Sequence, residues 1–181
     1  MAAAPCVGIP PPVLPIPPAL LSRLRSQVAI ASLPAAVHGL VANAVDAGAS
    51  EVAVRLNCGP GDLCISVADN GAGVRADSMH LLGTRGATSK MQSLGELEGK
   101  GGLPTLGFRG EALAALAETA VVEVVSRARG SFETHVTLLR GGKLVHCGLA
   151  MEQRARAGTV VTASDIFFNQ PVKRKAVAGV G

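Results

Sequence analysis

The chain has 181 residues, enough for one domain with a proper core and too few to expect two. At 48% hydrophobic and 17% charged residues it has a globular composition rather than a disordered one; with no Trp or Tyr and only four Phe, its core must be aliphatic. A net charge of +4 is compatible with a phosphate-rich partner without demanding one, and Cys6, Cys58, Cys64 and Cys147 form no CxxC pair and no zinc spacing, so they read as reduced, mostly buried thiols in an intracellular protein.

Met1 to Leu21 is uncharged and largely apolar, but seven prolines in the first eighteen residues rule out a continuous spanning helix. A secretory signal would want a basic start, and none is present. Residues 1–12 therefore read as a polyproline-like, disordered lead-in and 13–181 as a single domain, with no membrane segment. "PALLSRLRSQVAIASL" reads as a short helix or two, broken before Pro34. Pro34 then suits the first turn of the next helix, with Ser32 as a capping candidate and Gly48 as its C-terminal stop.

On that helix Val37, Leu40, Val41, Ala44 and Val45 share a core-facing side, while Gly39, Asn43 and Asp46 fall at i, i+4 and i+7 on the other. The second face is either solvated or turned toward a ligand. Asp46 in the last turn opposes the helix dipole, which favours the ligand reading without deciding it. "EVAVRLNC" and "DLCISVAD" follow as alternating strands joined by "GPG", and a short helical piece spans about Asp77 to Leu82.

"VADNGAG" ends an alternating strand in Asp-Asn-Gly. A hairpin is the ordinary reading of Asn-Gly, but the following "VRADSMHLLG" is helix-like rather than a returning strand. The other reading makes Asp69 an acceptor for a ligand amine, with glycines that let the backbone approach a flat ring. Gly83 to Gly107 holds seven glycines without a sustained period, as a functional lid or a disordered loop would.

In "TLGFRGEALAALAE", Gly107 and Gly110 precede a helix whose first turn carries Glu111. Free backbone N–H groups there could hold an anion, or the glycines could be an ordinary flexible entry. "AVVEVVSRA", "FETHVTLLR", "KLVHCGLA" and "GTVVTASD" read as four strands in meander order, and "PVKRKAVAG" opens a basic helix. Segregated strands and helices predict a two-layer α+β sandwich.

The motifs "NAVDAG", "DNGAG", "ATSK", "GFRGEAL" and "AGTVV…DIFFNQPVKRK", in this order, resemble the N-terminal ATPase domain of the MutL mismatch-repair family. That family belongs with DNA gyrase B, histidine kinases and the large heat-shock chaperone in the GHKL group. The resemblance covers about Leu20 to Lys175, and "LRSQVAIASL" resembles the eukaryotic MutL homologue 3 branch. It implies the Bergerat ATPase fold, a mixed, mostly antiparallel sheet with helices on one face. It also implies ATP and Mg²⁺ as ligands, with Asn43 the magnesium ligand through the ATP phosphates and Asp46 in support. Asp69 would read the adenine amino group, with Gly71 and Gly73 beneath the base and Thr159 behind it. Thr88, Ser89 and Lys90 match lid residues, and Gly107, Phe108, Arg109, Gly110 and Glu111 match the loop around the triphosphate.

The same resemblance implies a second MutL-type subunit, DNA and mismatch-recognition proteins as partners, and a nuclear location. Lys173, Arg174 and Lys175 are candidate DNA contacts, or simply a solvated basic face. A following domain with a lysine for the γ-phosphate, and a C-terminal dimerisation domain, would lie beyond these 181 residues.

One position departs from the pattern. Four residues before the magnesium asparagine the family has a glutamate as general base, and here that residue is Gly39. General-base catalysis is worth roughly 10²–10⁴-fold, so the expectation is ATP binding with absent or very slow hydrolysis. His38 sits about 100° around the helix from Gly39 and is no substitute.

Overall fold

The computed structural model describes Ile30 and residues 32–59, 62–86 and 111–178. The expected proline-rich lead-in, most of the first helical segment and the glycine-rich stretch from 87 to 110 lie outside them.

Helix α1 (Leu33–Asp46) begins as its sequence predicts. Ser32 is extended at φ −151°, its hydroxyl accepts the Ala35 N–H at 3.4 Å, and Pro34 occupies the first turn. It ends in a Schellman motif: Ala49 N–H reaches Ala44 O at 3.1 Å and Gly48 N–H reaches Val45 O at 2.9 Å, with Gly48 at φ +71°. Its buried line is Ala36, Leu40 and Ala44, flanked by Val37 and Val41. Ala42 is buried as well, while Val45, expected in the core, is 49% exposed.

Six strands follow: β1 (Val52–Gly59), β2 (Asp62–Asp69), β3 (Val121–Arg127), β4 (His135–Arg140), β5 (Lys143–Leu149) and β6 (Gly158–Ser164). They form one sheet in the order β1-β2-β6-β3-β4-β5, with every neighbouring pair antiparallel. The meander holds for β3, β4 and β5 but not for β6, which lies between β2 and β3. The β4–β5 turn is tight, with Gly141 and Gly142 both at positive φ, whereas residues 150–157 form a longer connection that can carry the chain back across the sheet. There β6 closes two open ladders at once, seven residue pairs with β3 and four with β2. The edge strands β1 and β5 are mostly exposed, so the alternation read in β1 does not face the core, and the thiols expected to be mostly buried are not: Cys58 on β1 is exposed, and Cys64 and Cys147 are half-buried.

Helix α2 (Glu111–Thr119) packs beside α1 and over β3 and β4. Its Ala114, Ala115, Leu116 and Ala117 are buried, and small side chains let the helix lie close to the sheet. The core joins them to Ile65, Val67, Val122, Val124, Ala163, Ile166 and Phe167. Phe167 holds φ +62°, unusual for a bulky residue, while its N–H reaches Thr119 O at 2.7 Å and so satisfies a carbonyl at the end of α2. A 3-10 turn (Ala76–Leu81) and helix α3 (Pro171–Ala178) complete the described elements. The result is the two-layer α+β sandwich that the segregated pattern predicts.

Candidate functional site

The end of β2 is where the predicted polar residues meet. Asp69 closes β2, and the β2–β6 ladder stops one pair earlier, at Ala68 opposite Val160. The next N–H of β6, that of Thr159, turns instead to the Asp69 carboxylate, with Oδ1 at 3.2 Å. Gly71 N–H donates to the same oxygen at 2.8 Å. Oδ1 is thus held by two backbone donors, while Oδ2 of the half-buried side chain accepts nothing among the described residues. An anchored carboxylate with one free oxygen is a directed acceptor for a ligand N–H.

Three glycines make this arrangement possible by close approach. A Cβ at Gly71 would fall 2.9 Å from both the Cβ and the carbonyl oxygen of Ala47. At Gly73 (φ +70°) it would come within 2.1 Å of Arg127 O, and at Gly158 (φ +130°) within 2.1 Å of Asp69 O. The backbone is further tied by Ala72 N–H to Ala47 O at 2.9 Å and Arg129 N–H to Ala72 O at 2.8 Å. Asn70 braces the residues just before β1, its Oδ1 accepting the N–H groups of Ser50 and Glu51 at 2.9 and 3.0 Å.

Two residues that sequence reasoning missed complete the floor. Ser126 on β3 is fully buried; its Oγ accepts Val74 N–H at 2.8 Å and lies 2.9 Å from Thr159 Oγ1 and 3.2 Å from Gly158 O. The available signal was a hydroxyl continuing the inward series Val122, Val124, Ser126. Arg154 donates from Nη2 to the Asp69 carbonyl at 3.1 Å, taking the place of a ladder donor where β2 and β6 part. Its own carbonyl accepts Arg127 Nη1 at 2.6 Å, and its buried Nε has no partner among the described residues. No local pattern marks an arginine in a loop for that task.

Helix α1 approaches this floor along one stripe. Gly39, Asn43 and Ala47 stand at i, i+4 and i+8, with Gly71 packed on Ala47 at one end. At the other end a Cβ on Gly39 would lie 3.1 Å from Ala112 Cβ, in the first turn of α2. Asn43 is therefore between the Asp69 turn and the N-terminus of α2, half-buried, and Asp46 is half-buried in the last turn. Glu111 opens α2. Thr88, Ser89, Lys90, Gly107, Phe108, Arg109 and Gly110 lie outside the described residues.

The basic cluster sits elsewhere, on α3. Lys173 Nζ lies 5.6 Å from the Phe167 ring centroid and 3.5 Å from Ile30 O, and Arg174 pairs with Asp165 at 3.0 Å. Two of the three candidate DNA contacts thus interact with the protein's own fold, and Lys175 is exposed. At the far end of α2 from Glu111, Arg85 pairs with Glu118 at 3.1 Å beside a shallow cleft that includes Leu82, Leu139 and Leu144.

Residues 31–141 match the family described as histidine kinase-, DNA gyrase B-, and HSP90-like ATPases, and the chain belongs to that family. Within it, the resemblance is to MutL-type mismatch-repair proteins. The chain is 40% identical over 157 residues to the human DNA mismatch repair protein Mlh3, covering 86% of this chain and 10% of that protein. It is 36% identical over 163 residues to MLH3 of Arabidopsis thaliana, covering 90% and 14%. MutL of Ralstonia nicotianae is 35% identical over 164 residues, covering 91% and 24%. The chain thus spans a quarter or less of these curated relatives.

Among solved structures, the N-terminal domain of a DNA repair protein superposes with TM-score 0.68 at 27% identity, covering 88% of this chain and 43% of that one. The Aquifex aeolicus MutL ATPase domain complexed with ADP has TM-score 0.55 at 24% identity, covering 81% and 47%, a likeness of fold.

Proposed function

We propose that this chain binds Mg-ATP in the cleft between α1 and the ends of β2 and β6, as the nucleotide-responsive domain of a MutL-type mismatch-repair protein. The carrying observation is Asp69: Oδ1 is saturated by two backbone N–H groups and Oδ2 is left to accept from an exocyclic amine. The glycines at 71, 73 and 158 let the backbone pack closely on Ala47, Arg127 and Asp69, which supports a fixed turn that presents the Asp69 carboxylate. These residues fit the adenine end.

For the metal, the Asn43 amide oxygen is a hard donor on the stripe between the Asp69 turn and α2. Among the described residues no group of three or more His, Cys, Asp or Glu could hold an ion. A magnesium ion on Asn43 would draw its other oxygens from phosphates and water, as that cation prefers. Asp46 supports this face. Thr88, Ser89, Lys90 and the loop 107–110 leading to Glu111 are assigned to the ribose and phosphates by their motifs, where backbone N–H groups before a helix suit an anion.

Bound magnesium would neutralise phosphate charge, but the chain's own residues supply no base at Gly39 to activate water. The reading is therefore a binding switch with absent or very slow hydrolysis. Nucleotide would govern association with a second MutL-type subunit and engagement of DNA and mismatch-recognition proteins in the nucleus. Lys173, Arg174 and Lys175 are at most a minor part of that DNA surface. Among the described residues, no helix is long and apolar enough to cross a membrane.

Thermal unfolding with and without Mg-ATP tests the reading. A ligand at a hundred times its Kd stabilises the native state by about 2.7 kcal/mol, so the midpoint should rise. Asp69→Asn removes a charged acceptor worth about 1.5–3 kcal/mol and should weaken binding about 10–100-fold. A midpoint indifferent to Mg-ATP in the parent chain would refute the proposal.

A further inference from the structure

We infer that Ser126, buried behind the cleft, fixes the polarity of the Thr159 hydroxyl and so selects the purine edge that the site accepts. This rests on the nucleotide reading above and concerns how the same site discriminates. Ser126 has one proton and two lone pairs to place. Val74 N–H, 2.8 Å away, takes one lone pair. Gly158 O, 3.2 Å away, can only accept, so a bond there consumes the Ser126 proton. The remaining lone pair faces Thr159 Oγ1 at 2.9 Å, and it can only receive the Thr159 proton.

This is the arrangement that satisfies every bonding position of a fully buried side chain. The opposite assignment, with Ser126 donating to Thr159, leaves one Ser126 lone pair empty and abandons Gly158 O. The β-branched Thr159 side chain is stiff at χ1, which keeps its hydroxyl oxygen beside Ser126, and its rotatable proton follows the lone pair that Ser126 leaves open. With its proton directed back to Ser126, the Thr159 hydroxyl has only lone pairs left to offer a ligand.

The Asp69 carboxylate, whose Oδ1 takes the Thr159 N–H, likewise offers only lone pairs at Oδ2. The floor then offers two acceptors, and Ser126 is a positioning residue that makes it so. A base edge pairing an exocyclic amine with a ring N–H satisfies both acceptors directly. Adenine pairs its amine with an unprotonated ring nitrogen, so a water must donate to that nitrogen and to Thr159 together.

The two edges can be compared with ATP and 2-oxo-ATP, which keeps the 6-amino group and, in its keto form, carries a proton on ring nitrogen 1. The experiment is equilibrium binding of both nucleotides to the parent chain, Ser126→Ala, Ser126→Thr and Thr159→Val. Removing the Ser126 hydroxyl frees the Thr159 proton, so Ser126→Ala should move the affinity ratio about tenfold toward ATP, the effect of one hydrogen bond gained or lost. Ser126→Thr should restore the parent ratio, which general loosening of the fold would not do. If Ser126→Ala does not fold, Thr159→Val reads the same property and should weaken 2-oxo-ATP several-fold more than ATP. Binding with a ratio unmoved by Ser126→Ala, or by Thr159→Val, overturns this inference and leaves the nucleotide reading standing. Failure of the parent to bind either nucleotide overturns both.

Discussion

The two ends of the α1 stripe are built to different standards. At the Ala47 end, the turn after β2 is determined several times over: two N–H groups on one Asp69 oxygen, three glycines packed against carbonyls, and a buried serine bridging three strands or turns. At the Gly39 end there is no side chain at all, only a backbone surface 3.1 Å, by its missing Cβ, from Ala112. On the proposed reading, recognition of a base and activation of water make separate demands, and the residues suited to the first stand here without a carboxylate at position 39 for the second. The contacts at Asp69 run through Gly71 and Thr159 and not through residue 39, so the proposed binding does not depend on it.

Restoring the missing group is the strongest way to break the contrast. Gly39→Glu should raise single-turnover ATP hydrolysis by roughly 10²–10⁴-fold over the parent chain while leaving the affinity for ATP within a few-fold. The new Cβ must displace Ala112 by a few tenths of an ångström, so a companion Gly39→Glu, Ala112→Gly variant removes that contact. Equal rates in parent and variants would show that the carboxylate is not what the site lacks.

The rigidity of the Asp69 end can be challenged next. Gly158→Ala places a methyl within 2.1 Å of Asp69 O in a backbone conformation that disfavours a side chain, and should cost roughly 3 kcal/mol in denaturant unfolding. Gly48→Ala, with φ +71° but open space around it, should cost about 1 kcal/mol. Equal costs would mean that the close approach at Asp69 contributes nothing beyond glycine's backbone freedom.

The smallest effect belongs to the exposed pair just past the turn. Hydrogen bonds from the Arg75 guanidinium and the Ser78 hydroxyl hold the Asp77 carboxyl at about 2, below its ordinary 3.8. A depressed folded value means the contribution is present above about 3.8 and fades as pH falls through about 2. Asp77→Asn should therefore lower the unfolding midpoint slightly at neutral pH, and the difference should vanish toward pH 2. A large shift at neutral pH would place part of the turn's stability on its surface rather than in the buried network.

Much of the fold was legible where neighbours in sequence decide the outcome. Ser32, Pro34 and Gly48 bound α1 as capping rules require, and "DLCISVAD" gave β2 to the residue. The tight turn at Asp69 and Gly71 was legible for a related reason, since an Asp-Asn-Gly after a strand with no returning partner asks for something other than a hairpin. Val45 was misplaced because a helical wheel does not tell how wide the covered stripe is. Lys173 and Arg174 looked available because their partners, Phe167 and Asp165, lie across a turn that charge patterning does not see.

The amino-acid sequence by itself determined the elements, their ends and the chemical character of the motifs, because capping, turn geometry and alternation act over a few residues. Only the tertiary structure decided that β6 leaves the meander and lies against β2, bringing Thr159 to Asp69 across ninety positions of chain. It also decided that Ser126 and Arg154 would stand behind them. Ladder order depends on which open strand edges meet, and that is settled by burial of the whole sheet rather than by any segment of it.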